Sequence, residues 1–140
     1  MAVNILYIMA EALGTVASAI QLASNVKDIW KFFHAIKAAP KEIVELRRGL
    51  RELECLLASV ESTVQFASSL STNNELDQTL NIIRSEIQGF AANTPMNDKT
   101  KSLKERIKWV LLNKAIAKEM AGRIENSKLS LAIVLQNMTR

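Results

Sequence analysis

The residues able to do chemistry in this 140-residue chain are few and scattered. There is one histidine, His34, and one cysteine, Cys55. An imidazole beside a thiol makes a nucleophile only when a third group orients the base, and no such constellation is written around either residue. One cysteine also excludes an internal disulfide and a thiolate metal cluster, and it fits a cytosolic compartment. Zinc-protease, nucleophile-elbow, phosphate-loop and paired-cysteine signatures are all missing. Glu42, Glu45, Glu52 and Glu54 stand beside Arg47, Arg48 and Arg51. At helical spacing these form solvated i,i+3 and i,i+4 pairs rather than an acid/base couple. The expectation is a non-enzymatic protein with no cofactor and no metal site.

The charge is uneven. Residues 1–98 carry eight basic and eleven acidic side chains, a net of −3, whereas residues 99–140 carry ten basic and three acidic, a net of +7. A basic final third suits an acidic partner such as an anionic membrane surface. The run Lys99, Lys101, Lys104, Arg106 and Lys108 ends at Trp109. It lacks a helix-turn-helix pattern, a zinc finger and stacking aromatics, so nucleic acid is not the expected partner. Lys101, Lys104, Arg106, Lys108, Lys114 and Lys118 are the candidates for contact with lipid headgroups.

These residues need elements to hold them. The chain is 49% hydrophobic with four glycines and two prolines, which suits long helices with short connections. Met1 to Val26 is apolar with one charge, Glu11, and lacks the basic start of a secretory signal. Val26, Ile29, Trp30, Phe33 and Ile36 continue at helical spacing, so the two stretches read as one long helix that Pro40 stops. Over residues 40–70, Ile43, Leu46, Leu50, Leu53, Leu57, Val60 and Val64 make an unbroken seam in steps of three and four. It suits packing inside a bundle, or a partner helix at Leu46, Leu50, Leu53 and Leu57. Ser71-Thr72-Asn73-Asn74 reads as a turn, followed by a stripe of Leu76, Leu80, Ile83, Ile87 and Phe90. Ser102 and Glu105 have capping-box spacing, and Asn113 is positioned to cap a last helix with Ile116, Met120, Ile124, Leu131, Leu135 and Met138 on one side. No strand period competes. The fold class expected is all-α, a bundle of four to five helices forming one domain over residues 1–140.

In the first helix, Ala10, Gly14 and Ser18 recur every four residues, as do Thr15, Ala19 and Ala23. Small residues at this spacing let helix backbones approach closely, in membranes and in tight soluble bundles alike. From Met1 to Val26 such a helix extends about 39 Å, against roughly 30 Å of bilayer core. The segment from Met9 is shorter, about 27 Å, and marginal for spanning. Asn4, Glu11 and Gln21 make it a poor constitutive span.

The stretch Met9-Ala10-Glu11-Ala12-Leu13-Gly14-Thr15-Val16-Ala17-Ser18-Ala19-Ile20-Gln21-Leu22-Ala23 resembles the start of the fungal N-terminal domain of STAND, or NLR-type, proteins. The resemblance continues through Lys37-Ala38-Ala39-Pro40-Lys41-Glu42-Ile43. It returns at Arg106-Ile107-Lys108-Trp109, Lys114 and Ile124-Glu125-Asn126-Ser127-Lys128-Leu129-Ser130-Leu131-Ala132. Three blocks in order cover nearly the whole chain. Members of that family begin at the methionine matching Met9, so residues 1–8 read as an apolar extension. The resemblance implies a HeLo-like helical bundle and regulated cell death by permeabilisation of the plasma membrane.

On that resemblance the expected function is a membrane-targeting cell-death effector in a fungal NLR-type immune or incompatibility system. It is cytoplasmic at rest and at the plasma membrane when activated. Its partners are anionic lipids, further copies of itself, and an NLR nucleotide-binding module in cis or in trans. The insertion segment is expected at Met9, Ala10, Leu13, Gly14, Val16, Ala17, Ser18 and Ile20. The alternative is a non-lytic adaptor or oligomerisation module that relays signals through helix–helix contacts at the leucine seam.

Overall fold

The computed structural model describes the backbone of residues 2–66 and 70–139 and the side chains of residues 14–64 and 74–139. Among the described residues every regular element is a helix and none is a strand, as the apolar periods require. Helix α1 runs Ala2–His34, α2 Lys41–Ala58, α3 Val60–Phe66, α4 Leu70–Ala92, α5 Leu103–Leu112 and α6 Lys114–Met138. A 3-10 turn at Pro95–Asn97 links α4 to α5. Five of the six α-helices are ten residues or longer.

Helices α1 and α6 each pack on both α2 and α4. The result is a four-cornered bundle in which α1 and α6 occupy opposite corners. Short α3 extends the α2 corner toward α1 and α6, and α5 rests on α6 and the 3-10 turn. Each long helix turns its apolar stripe inward. Thr15, Ala19, Leu22, Val26, Ile29 and Phe33 of α1 are buried, as are Leu76, Leu80, Ile83, Ile87 and Phe90 of α4. From α6 the core receives Ala117, Met120, Ile124, Leu131, Leu135 and Met138. A fully buried Leu, Ile or Phe contributes roughly 1.5–3 kcal/mol, so the stripes supply the cohesion that short connections alone lack.

The long first helix is continuous, as its apolar spacing requires. After it the chain reverses through Lys37–Ala39, where Ala38 adopts φ 51°, and Pro40 caps α2 with its carbonyl accepting from the Ile43 and Val44 amides at 3.0 and 3.1 Å.

Three local expectations need correction. The seam helix over 40–70 is interrupted at Ser59. There the Ser59 hydroxyl donates to the Leu56 carbonyl at 2.7 Å, and the Ser62 and Thr63 hydroxyls donate to the Ser59 carbonyl at 3.1 and 3.0 Å. Side chains that bond the local backbone compete with the helical ladder. The seam survives the break, since Val60 and Val64 remain buried. Next, Ser71-Thr72-Asn73-Asn74 belongs to α4, whose backbone is helical from Leu70. Weak helix propensity is overridden where the helix already carries a buried stripe. Finally, Asn113 makes no side-chain cap for α6, and its amide instead donates to the Trp109 carbonyl at 2.7 Å, closing the end of α5. By contrast Ser102 caps α5 as its spacing requires, accepting from the Glu105 amide at 3.2 Å.

Candidate functional site

Of the expected insertion segment, Met9, Ala10 and Leu13 have side chains outside the described residues. The rest divide between two faces of α1. Gly14, Ala17 and Ile20 face solvent, with Ile20 54% exposed. Val16 is half-buried against the core, and Ser18 is half-buried beside α4. The α1–α4 contact is tied by polar groups. The Thr15 hydroxyl donates to Asp77 Oδ1 at 2.7 Å, and the Arg84 guanidinium donates to Ser18 Oγ while also holding Asn81 Oδ1 at 2.8 Å. The small residues of α1 therefore let α4 come close enough for short side chains to bridge. Among the described residues no helix is long and apolar enough to cross a membrane.

The leucine seam faces inward. Leu46, Leu50, Leu53 and Leu57 are essentially inaccessible, enclosed where α1 and α6 pack on α2. This corrects the partner-seam assignment for this fold: the chain's own helices fill the positions a partner helix was expected to take. Gly49 lies within the seam and shows why. A Cβ there would stand 3.0 Å from Ile124 Cγ2. Glycine lets α6 lie close against α2 at this point, which outweighs its helix propensity cost of about 1 kcal/mol.

The six basic candidates do not share one surface. Lys104 and Lys108 lie on the exposed side of α5, one turn apart, with Lys101 just before the helix and Leu112, 76% exposed, at its end. At 100° per residue Lys104, Lys108 and Leu112 share one face. Arg106 turns the other way and donates to the Met96 carbonyl at 2.5 Å, fastening α5 to the 3-10 turn. Lys114 opens α6 and is exposed. Lys118 instead lines a charged groove between α2 and α6 with Glu45, Arg48, Glu52, Glu125 and Lys128. Among the described residues Lys101, Lys104, Lys108, Lys114 and Lys118 make no ion pair. Near Lys101, Asp98 accepts from the Thr100 hydroxyl and amide, which holds its carboxyl below the ordinary carboxylate value.

Other charges serve the bundle. On α2, Arg51–Glu54 forms a pair of the expected i,i+3 kind at 3.6 Å, and Lys41–Glu45 adds an i,i+4 pair at 3.7 Å. Across helices, Lys128 of α6 bridges Glu52 of α2 and Glu125, the latter at 2.7 Å. Burial acts to lower the Lys128 pKa, but the hydrogen bonds to Glu125 and Glu52 outweigh it and raise the ammonium above its ordinary value. Arg123 joins α6 to α4 through Glu86 at 3.1 Å and pairs with Glu119 at 2.9 Å, which raises its own pKa. These two cross-helix links were invisible in sequence, because nothing in a stripe of charges says which neighbouring helix it meets.

His34 and Cys55 occupy separate settings. The His34 ring stacks on Trp30 with centroids 4.5 Å apart, and the Arg51 guanidinium lies 4.8 Å over the same indole. Cys55 is an exposed free thiol on α2. Among the described residues no group of three acidic, histidine or cysteine side chains is placed to hold a metal ion. The chain finds no match among protein-family models, curated proteins or solved structures.

Proposed function

We propose that this chain is a HeLo-like membrane-targeting cell-death domain of the fungal NLR type, which binds anionic lipid and then disturbs the bilayer through its first helix after self-association. The observation that carries the reading is the outward face of α5, where Lys104 and Lys108 make no ion pair among the described residues, with Lys101 just before the helix and Leu112 76% exposed at its end. Basic residues near an anionic surface gain about 1 kcal/mol each, and an exposed leucine beside them adds apolar contact at the headgroup boundary. The resemblance of residues 9–23, 37–43 and 106–132 to that family supports the same reading. An NLR nucleotide-binding module, in cis or in trans, is a proposed partner, and the plasma membrane the proposed destination of a chain that rests in the cytoplasm.

Lipid engagement and bilayer disruption are separate steps. The first uses α5, and the second requires α1 to leave α4. The test is dye release from vesicles containing phosphatidylserine, with binding followed by co-sedimentation at low and high salt. Binding that weakens with salt is expected, and Lys104→Glu/Lys108→Glu abolishes it. Gly14→Glu and Ile20→Glu lie on the exposed side of α1 and leave the bundle folded; they leave binding intact and abolish leakage. Leakage by these variants equal to that of the parent overturns the role of α1.

A second reading, the non-lytic adaptor, is favoured by the polar ties that hold α1 on α4: a chain that sits on lipid and recruits partners needs no insertion step. Salt-sensitive vesicle binding with no dye release selects it.

A further inference from the structure

We propose that the solvent face of α6 is a self-complementary docking surface for a second copy of this chain, packed antiparallel about a two-fold axis at Gly122. Helix α6 has two seams. One is the buried stripe described above. The other, on the opposite side, runs Ala115, Lys118, Gly122, Glu125, Leu129 and Ile133 in steps of three and four, and every one of these residues is exposed. Leu129 and Ile133 are 61% and 57% exposed, one turn apart. Gly122 has no atom within 4 Å of where a Cβ would be, so another backbone can approach closely there.

The spacing suits the chain's own copy. Ala115 lies seven residues before Gly122 and Leu129 seven after, so an antiparallel pair centred on Gly122 sets each leucine over the other copy's alanine. Each offset is about 10 Å along the axis. Lys118 lies four residues before the centre and Glu125 three after, which brings each lysine beside the opposite glutamate. Among the described residues Lys118 makes no ion pair, while Glu125 also pairs with Lys128 of its own helix at 2.7 Å. The groove bordering this face holds Glu45, Glu52 and Glu125 against Arg48, Lys118 and Lys128. Equal and interleaved charge disfavours a ligand of one sign and favours a surface that repeats its own pattern, as an isologous contact requires. This interface is argued from α6 alone and holds with or without a membrane.

The test is disulfide capture. Cys55→Ser removes the native thiol, and Gly122→Cys then places one thiol at the proposed axis. Under mild oxidation this chain is expected to form a disulfide dimer in solution, and more so on anionic vesicles. The control Cys55→Ser/Lys108→Cys, on the outward face of α5, stays monomeric. Leu129→Glu in the Gly122→Cys background lowers capture about tenfold, because a charge is forced into an apolar contact. Lys118→Glu or Glu125→Lys alone lowers it, and the two together restore it. If the Gly122→Cys chain keeps its circular dichroism yet stays monomeric both in solution and on vesicles, the interface is wrong. A double reversal worse than either single change overturns the charge pairing and with it the register. Capture without vesicle leakage would leave the interface standing and remove the lytic reading.

Discussion

Gly49 of α2 lies against Ile124 of α6, so closely that a methyl group on Gly49 would come within 3.0 Å of Ile124 Cγ2. Both residues are buried, Ile124 almost completely. Gly49→Ala therefore sets a gain in helix propensity of about 1 kcal/mol against overpacking that typically costs about 1–3 kcal/mol. The expected outcome is a net loss of about 1 kcal/mol in urea unfolding. Trimming the opposing side chain relieves it, so Gly49→Ala/Ile124→Val loses less than the sum of its single changes. Strict additivity would mean that the two helices have room to part.

The seam makes an equally direct prediction. Leu53 is fully buried among the chain's own helices, so Leu53→Ala lowers the unfolding free energy by about 2–5 kcal/mol. Sedimentation of the still-folded fraction is unchanged, because no partner is lost. An oligomer that falls apart while its protomers keep their stability would restore the seam to a role between chains.

Lys128 predicts an alkaline limit. Its folded pKa is raised above the ordinary 10.5, so the folded chain holds this proton more tightly than the unfolded one. The stabilisation is complete below the ordinary value and is lost as pH climbs through the folded value. Thermal midpoints recorded from about pH 9 to about pH 12 should fall more steeply for the parent than for Lys128→Met. Parallel profiles would remove Lys128 from the account.

The link between α1 and α4 can be loosened without touching either apolar stripe. Asp77→Ala removes the carboxylate that accepts from Thr15, a side chain 3% exposed. Disturbing a buried hydrogen bond of this kind costs about 1–3 kcal/mol. Amide exchange over residues 14–22 should accelerate while α2 and α6 keep their protection. Under the proposed function, dye release also rises. Uniform acceleration across all helices would show that α1 has no independent mobility.

What the sequence disclosed was periodic. The large apolar stripes of α1, α2, α4 and α6 became buried faces, because a helix with one apolar side has only other helices in which to bury it. What it concealed was relational. Leu53 reads the same whether it meets a foreign helix or α6 of its own chain, and only the burial separates the two. The six basic candidates formed one class by charge, yet Arg106 bonds a carbonyl while Lys118 lines a groove of mixed charge. Asn113 had the right residue type for a cap and closed the helix on its other side. Ser59 interrupts an ideal seam through hydroxyl–carbonyl bonds that hydropathy does not register.

The square arrangement of α1, α2, α4 and α6 couples two events that have been treated apart. Because α1 is one of the walls closing over α2, its full departure differs from a local loosening against α4. Its departure would wet the leucine row and leave an open trench along the bundle. Such a trench is stable only when another apolar helix lies in it. Under the proposed function, freeing α1 and recruiting a neighbour are then one equilibrium, and the number of molecules crowded onto a patch of surface would set its position. A chain built this way would count its own copies before it acts.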